Sequence, residues 1–84
     1  MNKTVEKAME LMEDVYKGYI PDVEIGEVVE LNDLWDGEGE CPLDAGSYSY
    51  QLNDMEWINY VFEVVEEKEN QLDTLVKIKN IELL

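Results

Sequence analysis

The sequence has no histidine and no arginine, and Cys41 is its one cysteine. Without histidine, a serine or cysteine nucleophile lacks its commonest general base, and a transition metal lacks its commonest nitrogen ligand. One cysteine cannot form an internal disulfide, which is typical of proteins that work in a reducing cytosol. These absences argue against nucleophilic catalysis, a zinc site and a disulfide-stapled fold.

Long hydrophobic runs are missing as well. No apolar stretch approaches the ~20 residues that span a membrane. The opening residues, "MNKTVEKAMELMEDVY", carry charges throughout and lack the apolar segment of a signal peptide. Anionic lipid would also repel a chain this acidic. We therefore expect a cytoplasmic protein that has no membrane partner.

Acidic side chains are what the sequence has in excess. Twenty-one Asp and Glu face six lysines, so the formal net charge is −15. A small domain needs a net charge of only about 2–8 to stay in solution, and self-repulsion opposes a compact state. The hydrophobic fraction of 45% is nevertheless that of a folded protein rather than a disordered acidic tail. The excess charge is therefore expected to serve binding.

The N-terminal segment has the pattern of an amphipathic helix over about residues 3–17. Asn2 or Thr4 can cap its start, and Gly18 is placed to end it. Apolar residues recur at helical spacing and form one stripe. These residues are Val5, Ala8, Met9, Met12, Val15 and Tyr16.

The rest of the chain, about residues 23–83, alternates with the period of β-strands. The first predicted strand can bulge at Gly26, and the strands of residues 47–52 and 55–67 are separated by a turn at Asn53-Asp54. The last strand, in "LDTLVKIKNIELL", follows the polar loop "EEKENQ" and is predicted from its β-branched residues. The apolar faces of the first three strands are Val23, Ile25, Val29 and Leu31; Tyr48, Tyr50 and Leu52; and Ile58, Tyr60, Phe62 and Val64.

These elements predict one domain, residues 1–84, of the α+β class. One N-terminal helix packs on a small four-stranded antiparallel sheet that can close into a barrel. We expect Trp57, Tyr60 and Phe62 to belong to the core. Trp35 lies in a polar loop, where it is either a lid over the end of the sheet or an exposed anchor for a partner.

The loop "LWDGEGECPLD", residues 34–44, contains the carboxylates and the thiol from which a metal or catalytic site could be built. Aligning Asp36 and Gly37 with positions 5 and 6 of an EF-hand puts leucines at positions 3 and 12, so the calcium pattern fails. A looser divalent site of Asp36, Glu38 and Glu40 remains an alternative. Cys41 lies among acids, which disfavour a thiolate. We therefore assign no catalytic, cofactor-binding or metal-binding residue and expect no enzyme.

Positive charge is absent from the whole middle of the chain, residues 18–67. A surface made only for solubility would intersperse the two signs. Direct binding of nucleic acid is excluded, because it needs lysine and arginine against the phosphates. The acids of this stretch are Asp22, Glu24, Glu27, Glu30, Asp33, Asp36, Glu38, Glu40, Asp44, Asp54, Glu56, Glu63, Glu66 and Glu67.

The charge density is comparable to that of DNA. A folded chain of this length is expected to be about 30 Å across, and duplex DNA of that length carries roughly 18 phosphate charges. Such a surface can enter the basic groove of a nucleic-acid-binding protein. The predicted partner-binding residues are Glu24, Glu27, Glu30, Asp33, Trp35, Asp36, Glu38, Glu40 and Asp44.

In size and acidity the whole chain resembles the DNA-mimic inhibitors of phages and mobile elements, including many anti-CRISPR and anti-restriction proteins. The resemblance is one of composition, and no motif carries residue roles. It implies a non-enzymatic inhibitor, a monomer or weak homodimer, that binds a basic nucleic-acid-binding complex in the host cytoplasm. Two alternatives remain: an immunity or antitoxin protein that covers a basic toxin or nuclease, and an acidic structural or adaptor protein.

Overall fold

The computed structural model describes residues 2–12, 20–35, 37 and 39–84. One helix packs on a four-stranded sheet with the strand order β1-β4-β3-β2, in which every pair is antiparallel. This confirms the predicted α+β class, and the sheet stays open rather than closing into a barrel. The elements are α1 (Lys3–Leu11), β1 (Val28–Glu30), β2 (Ser47–Gln51), β3 (Trp57–Glu66), β4 (Leu75–Leu83) and two short 3₁₀ helices (Leu31–Asp33 and Gln71–Asp73).

Helix α1 begins at a side-chain cap. The Asn2 Oδ1 atom accepts hydrogen bonds from the backbone N–H groups of Thr4 and Val5, at 2.8 and 3.4 Å. Val5 and Ala8 are fully buried against the sheet, as the apolar stripe predicted, whereas Met9 is exposed. Of the two predicted caps, Asn2 is therefore the one used.

Helix α1 ends earlier than its apolar stripe predicted. Met12 has an extended backbone, and the Leu11 carbonyl accepts a hydrogen bond from Asn53 Nδ2 at 3.0 Å instead of continuing the helical ladder. A side chain from the β2–β3 connection thus satisfies one of the carbonyls left at the end of the helix. Residues 13–19, including the predicted helix end at Gly18, lie outside the described residues.

Strand β1 is shorter than predicted because a turn and a bulge precede it. Glu27 N–H donates to the Glu24 carbonyl at 3.1 Å, and Gly26 in this turn has a φ of 92°. Gly26 N–H donates to the Ile78 carbonyl at 2.7 Å, and Ile78 N–H donates to the Glu27 carbonyl at 2.9 Å. Gly26 and Glu27 thus lie opposite the single residue Ile78, which is a β-bulge of the kind that requires glycine. Ile25 lies in this turn and is 54% exposed, so its predicted place on the apolar face was wrong, whereas Val23, Val29 and Leu31 are buried as predicted.

Strands β2 and β3 form a hairpin whose connection is longer than the predicted two-residue turn. Leu52 N–H donates to the Glu56 carbonyl at 2.9 Å, which closes a loop across residues 53–55. The Asn53 Oδ1 atom accepts the N–H groups of Met55 and Glu56, each at 2.9 Å. The predicted apolar face of β2 is confirmed, with Leu52 buried and both tyrosines packed on the core.

Strand β3 carries the centre of the core on one face. Ile58, Tyr60 and Phe62 are buried as predicted. Val64 is 41% exposed, because the strand runs on past the core and its register with β4 shifts after this residue. Trp57 is also 41% exposed, so its predicted place in the core was wrong: it lies on the outer face of the sheet, the face away from α1.

Two tyrosine hydroxyls hold the loops of residues 20–35 over the inner face. Tyr60 donates to the Pro21 carbonyl at 2.8 Å, and Tyr50 donates to the Leu34 carbonyl. The rings of these tyrosines meet edge to face, with centroids 6.0 Å apart. The core therefore lies between the sheet on one side and α1 with these loops on the other, which leaves the acids of the loops at the surface.

Candidate functional site: an acidic rim

The acids before and after β1 follow one edge of the sheet. Glu24 and Glu27 lie in the turn that opens this edge, and the Glu27 carboxylate accepts the Glu24 N–H at 3.0 Å. Glu30 ends β1, and Asp33 lies in the 3₁₀ helix that follows. All four side chains are exposed. The predicted partner-binding residues of this segment thus share one edge of the molecule.

The register of the sheet brings a second acidic segment beside Glu30. Leu75 of β4 pairs with Glu30 on one side and with Glu66 on the other. Neighbouring strands lie about 4.8 Å apart, so the Cα atoms of these two glutamates are about 10 Å apart. Residues from opposite halves of the sequence therefore contribute to one charged surface.

The two 3₁₀ helices pack together at the same end of the sheet. Leu31 N–H donates to the Thr74 carbonyl at 2.9 Å, which ties the start of the first to the end of the second. Asn70 caps the second, because its Oδ1 atom accepts the Leu72 N–H at 3.0 Å. Asp33 and Asp73, each the last residue of its 3₁₀ helix, are thereby fixed at this end.

We call this surface the acidic rim. The segments 24–33 and 66–73 that form it contain eight carboxylates and one lysine. That lysine, Lys68, pairs with Glu66 at 3.2 Å, and an exposed pair of this kind contributes at most about 1 kcal/mol. The rim consists of Glu24, Glu27, Glu30, Asp33, Glu66, Glu67, Glu69 and Asp73, all exposed.

The remaining described lysines lie outside these two segments. Lys3 and Lys7 are on α1, where Glu6 and Glu10 balance them. Lys79 pairs with Glu63 across the outer face at 3.6 Å, and Lys77 lies in the same strand. Negative charge is therefore concentrated on the rim, while α1 and the middle of the outer face are close to neutral.

The other predicted partner-binding residues are not part of the rim. Trp35 is 6% exposed and belongs to the core, so of its two predicted roles the exposed anchor is wrong. Asp44 is exposed in the turn before β2, at the opposite edge of the sheet, and Glu40 is exposed in the loop before it. Asp36 and Glu38 lie outside the described residues.

Sequence reasoning missed the rim acids of the β3–β4 connection. Glu66 and Glu67 belong to the acids of the middle stretch but not to the predicted partner-binding residues, and Glu69 and Asp73 belong to neither set. The dense run "EEKEN" marks this segment as acidic in the sequence. Its position beside Glu30 depends on the pairing of Leu75 with both Glu30 and Glu66, which alternation within single strands cannot predict.

The described residues offer no concave site. They enclose no detectable cavity and hold no group of three His, Cys, Asp or Glu side chains that could bind a metal ion. In that part of the chain no helix is long and apolar enough to cross a membrane. Cys41 is a half-buried free thiol packed on the core. The rim is therefore an open surface and not the lining of a cavity.

The molecule measures 36 × 25 × 17 Å. Duplex DNA of the length of its longest axis carries about 21 phosphate charges, so a net charge of −15 has the same order of density. No family model, curated protein or solved structure matches the chain. Its function is therefore argued from this surface alone.

Proposed function

We propose that the protein is a small non-enzymatic inhibitor that occupies the nucleic-acid groove of a basic protein or complex. It would be a DNA mimic of the kind that phages and mobile elements direct against host defence complexes, with anti-CRISPR activity as the first candidate. It would act in the host cytoplasm, where such complexes work. The observation that supports this is the acidic rim, in which two segments distant in sequence contribute eight carboxylates and one lysine.

The rim suits a partner that normally binds phosphates. Carboxylates spread over an edge and an end of the sheet present anions at several points, as a nucleic-acid backbone does. Attraction between such a surface and a basic groove accelerates association and falls steeply with ionic strength. The proposed inhibitor therefore needs neither a pocket nor a nucleophile.

The test is affinity capture from a bacterial lysate followed by a competition assay with the captured protein. We expect a basic nucleic-acid-binding protein, bound strongly at about 0.05 M salt and weakly at about 0.5 M because the charges are screened. Added DNA should displace the inhibitor, and the inhibitor should displace DNA. Salt-insensitive binding that leaves DNA occupancy unchanged would contradict the proposal, and a basic toxin encoded beside this gene would identify an immunity protein instead.

A further inference from the structure

Strand β2 is the second edge of the sheet, and its outward backbone groups face no other described strand. Phe62 N–H donates to the Gly46 carbonyl at 2.9 Å, and Leu52 N–H donates to the Glu56 carbonyl at the other end of the hairpin. Hydrogen-bonded positions alternate in an antiparallel pair. The N–H and C=O groups of residues 47, 49 and 51 therefore point away from β3, and no hydrogen bond among residues 2–12, 20–35, 37 and 39–84 is recorded for them on that side.

This edge lacks the features that usually prevent strand pairing. Edge strands are commonly protected by lysine, proline, a bulge or short length. The opposite edge is protected in this way, since β1 has three residues and a preceding bulge. Strand β2, "SYSYQ", is a regular five-residue strand without charge, proline or bulge.

We infer that β2 pairs in antiparallel fashion with β2 of a second copy of this chain. Two copies that each carry −15 repel one another wherever their acidic surfaces meet. The β2 edge is an uncharged stretch along which they can approach. A copy also brings an edge of the same length with the same outward groups, as a two-fold interface requires.

The register of this pairing follows from the outward positions. Ser49 lies on the two-fold axis opposite Ser49 of the second copy, and Ser47 lies opposite Gln51 of the second copy. All of these are hydrogen-bonding positions, so the pairing can form about six backbone hydrogen bonds. The two β2 strands run in opposite directions. The acids of the two β3–β4 connections therefore lie at opposite ends of the eight-stranded sheet that the dimer forms. The interface is small, which makes the dimer a weak one.

Salt separates this association from the proposed binding to a basic target. Screening reduces the repulsion between two acidic copies, so salt should strengthen the dimer. The same screening weakens attraction between the rim and a basic groove. The inference does not rest on the proposed function, and the two make opposite predictions for ionic strength.

The test is sedimentation equilibrium of the purified chain and of three variants at Ser49. In Ser49→Pro the lost N–H faces away from β3, so no β2–β3 backbone bond is removed. Ser49→Ala is the matched control, because it also loses the 2.8 Å hydrogen bond from Ser49 Oγ to Asn59 Oδ1 but keeps the backbone donor. Ser49→Glu keeps the backbone N–H donor and places one carboxylate from each copy next to the other at the two-fold axis.

We expect the unaltered chain to dimerise with a dissociation constant between about 1 μM and 1 mM that falls as salt rises. Ser49→Ala should stay within a few fold of this value, and Ser49→Pro should weaken it at least tenfold. If Ser49→Pro does not fold, Ser49→Glu provides the test. We expect its dimer to dissociate at low salt and to re-form in part when salt is added. A chain that is monomeric at about 1 mM, or Pro and Glu variants that dimerise like the unaltered chain, would overturn the inference. If the Pro and Glu variants lost binding to the target but still self-associated, the β2 edge would be a target-binding surface. That result would also overturn the inference.

Discussion

At the scale of single residues, the two tryptophans differ in what surrounds them. Trp35 is buried in the core and its backbone N–H donates to the Leu31 carbonyl at 2.9 Å, whereas Trp57 is partly exposed on the outer face. Replacing a buried tryptophan with alanine costs about 3–5 kcal/mol, and the cost is smaller where the ring is partly exposed. Urea denaturation followed by circular dichroism should therefore show a far larger loss for Trp35→Ala than for Trp57→Ala. Equal losses would contradict the placement of these rings.

Asn53 is the buried polar residue that joins the helix to the hairpin. Its Nδ2 group donates to the Leu11 carbonyl and, at 3.3 Å, to the Glu56 carboxylate. Asn53→Asp replaces this donor with a carboxylate beside Glu56, so we expect the free energy of unfolding to fall by about 2–4 kcal/mol. The matched control is Asn80→Asp, at an exposed position of β4, which should change the free energy of unfolding by less than about 0.5 kcal/mol. Similar melting curves for the two variants would show that the Asn53 contacts do not stabilise the fold.

At the scale of elements, the bulge before β1 depends on Gly26. An added Cβ would meet no atom within 4 Å, so the cost of substitution comes only from the φ of 92°. Left-handed backbone costs a residue other than glycine about 1–2 kcal/mol, and asparagine tolerates it better than alanine. The midpoint of thermal unfolding should therefore be highest for the parent, lower for Gly26→Asn and lowest for Gly26→Ala. An alanine variant as stable as the parent would argue against this turn.

The elements also show what sequence patterns can and cannot predict. Alternation located β2 and β3 because each has one face in the core, and β-branched residues located β4. Alternation failed at Ile25, which lies in the turn at Gly26 and is exposed. It placed Trp57 opposite in parity to Ile58, on the outer face, where the ring is partly exposed. The rim escaped prediction in part because it depends on register between strands rather than on any one strand.

At the scale of the whole molecule, the charge of −15 acts against the fold. Screening shortens the reach of repulsion between carboxylates from about 10 Å at 0.1 M salt to about 3 Å at 1 M. The midpoint of thermal unfolding should therefore rise by several degrees between these salt concentrations. A variant with four rim acids changed to amides should start higher and gain less from salt. If salt left the parent unchanged, self-repulsion would not be a significant term in its stability.

We propose that the acidic rim, rather than net charge alone, binds the target. Two variants with the same net charge of −11 separate these possibilities. One neutralises Glu30, Asp33, Glu67 and Asp73 on the rim. The other neutralises Glu6, Glu10, Asp22 and Asp44 elsewhere on the surface.

The measurement is the concentration of each variant that displaces half of the DNA from the captured target at low salt. We expect at least a tenfold higher concentration for the rim variant than for the parent, and a value within about threefold of the parent for the control, because close charge pairs carry coupling energies of about 1.5 kcal/mol or more. Equal weakening of the two variants would contradict it, since binding would then depend on total charge and not on the rim.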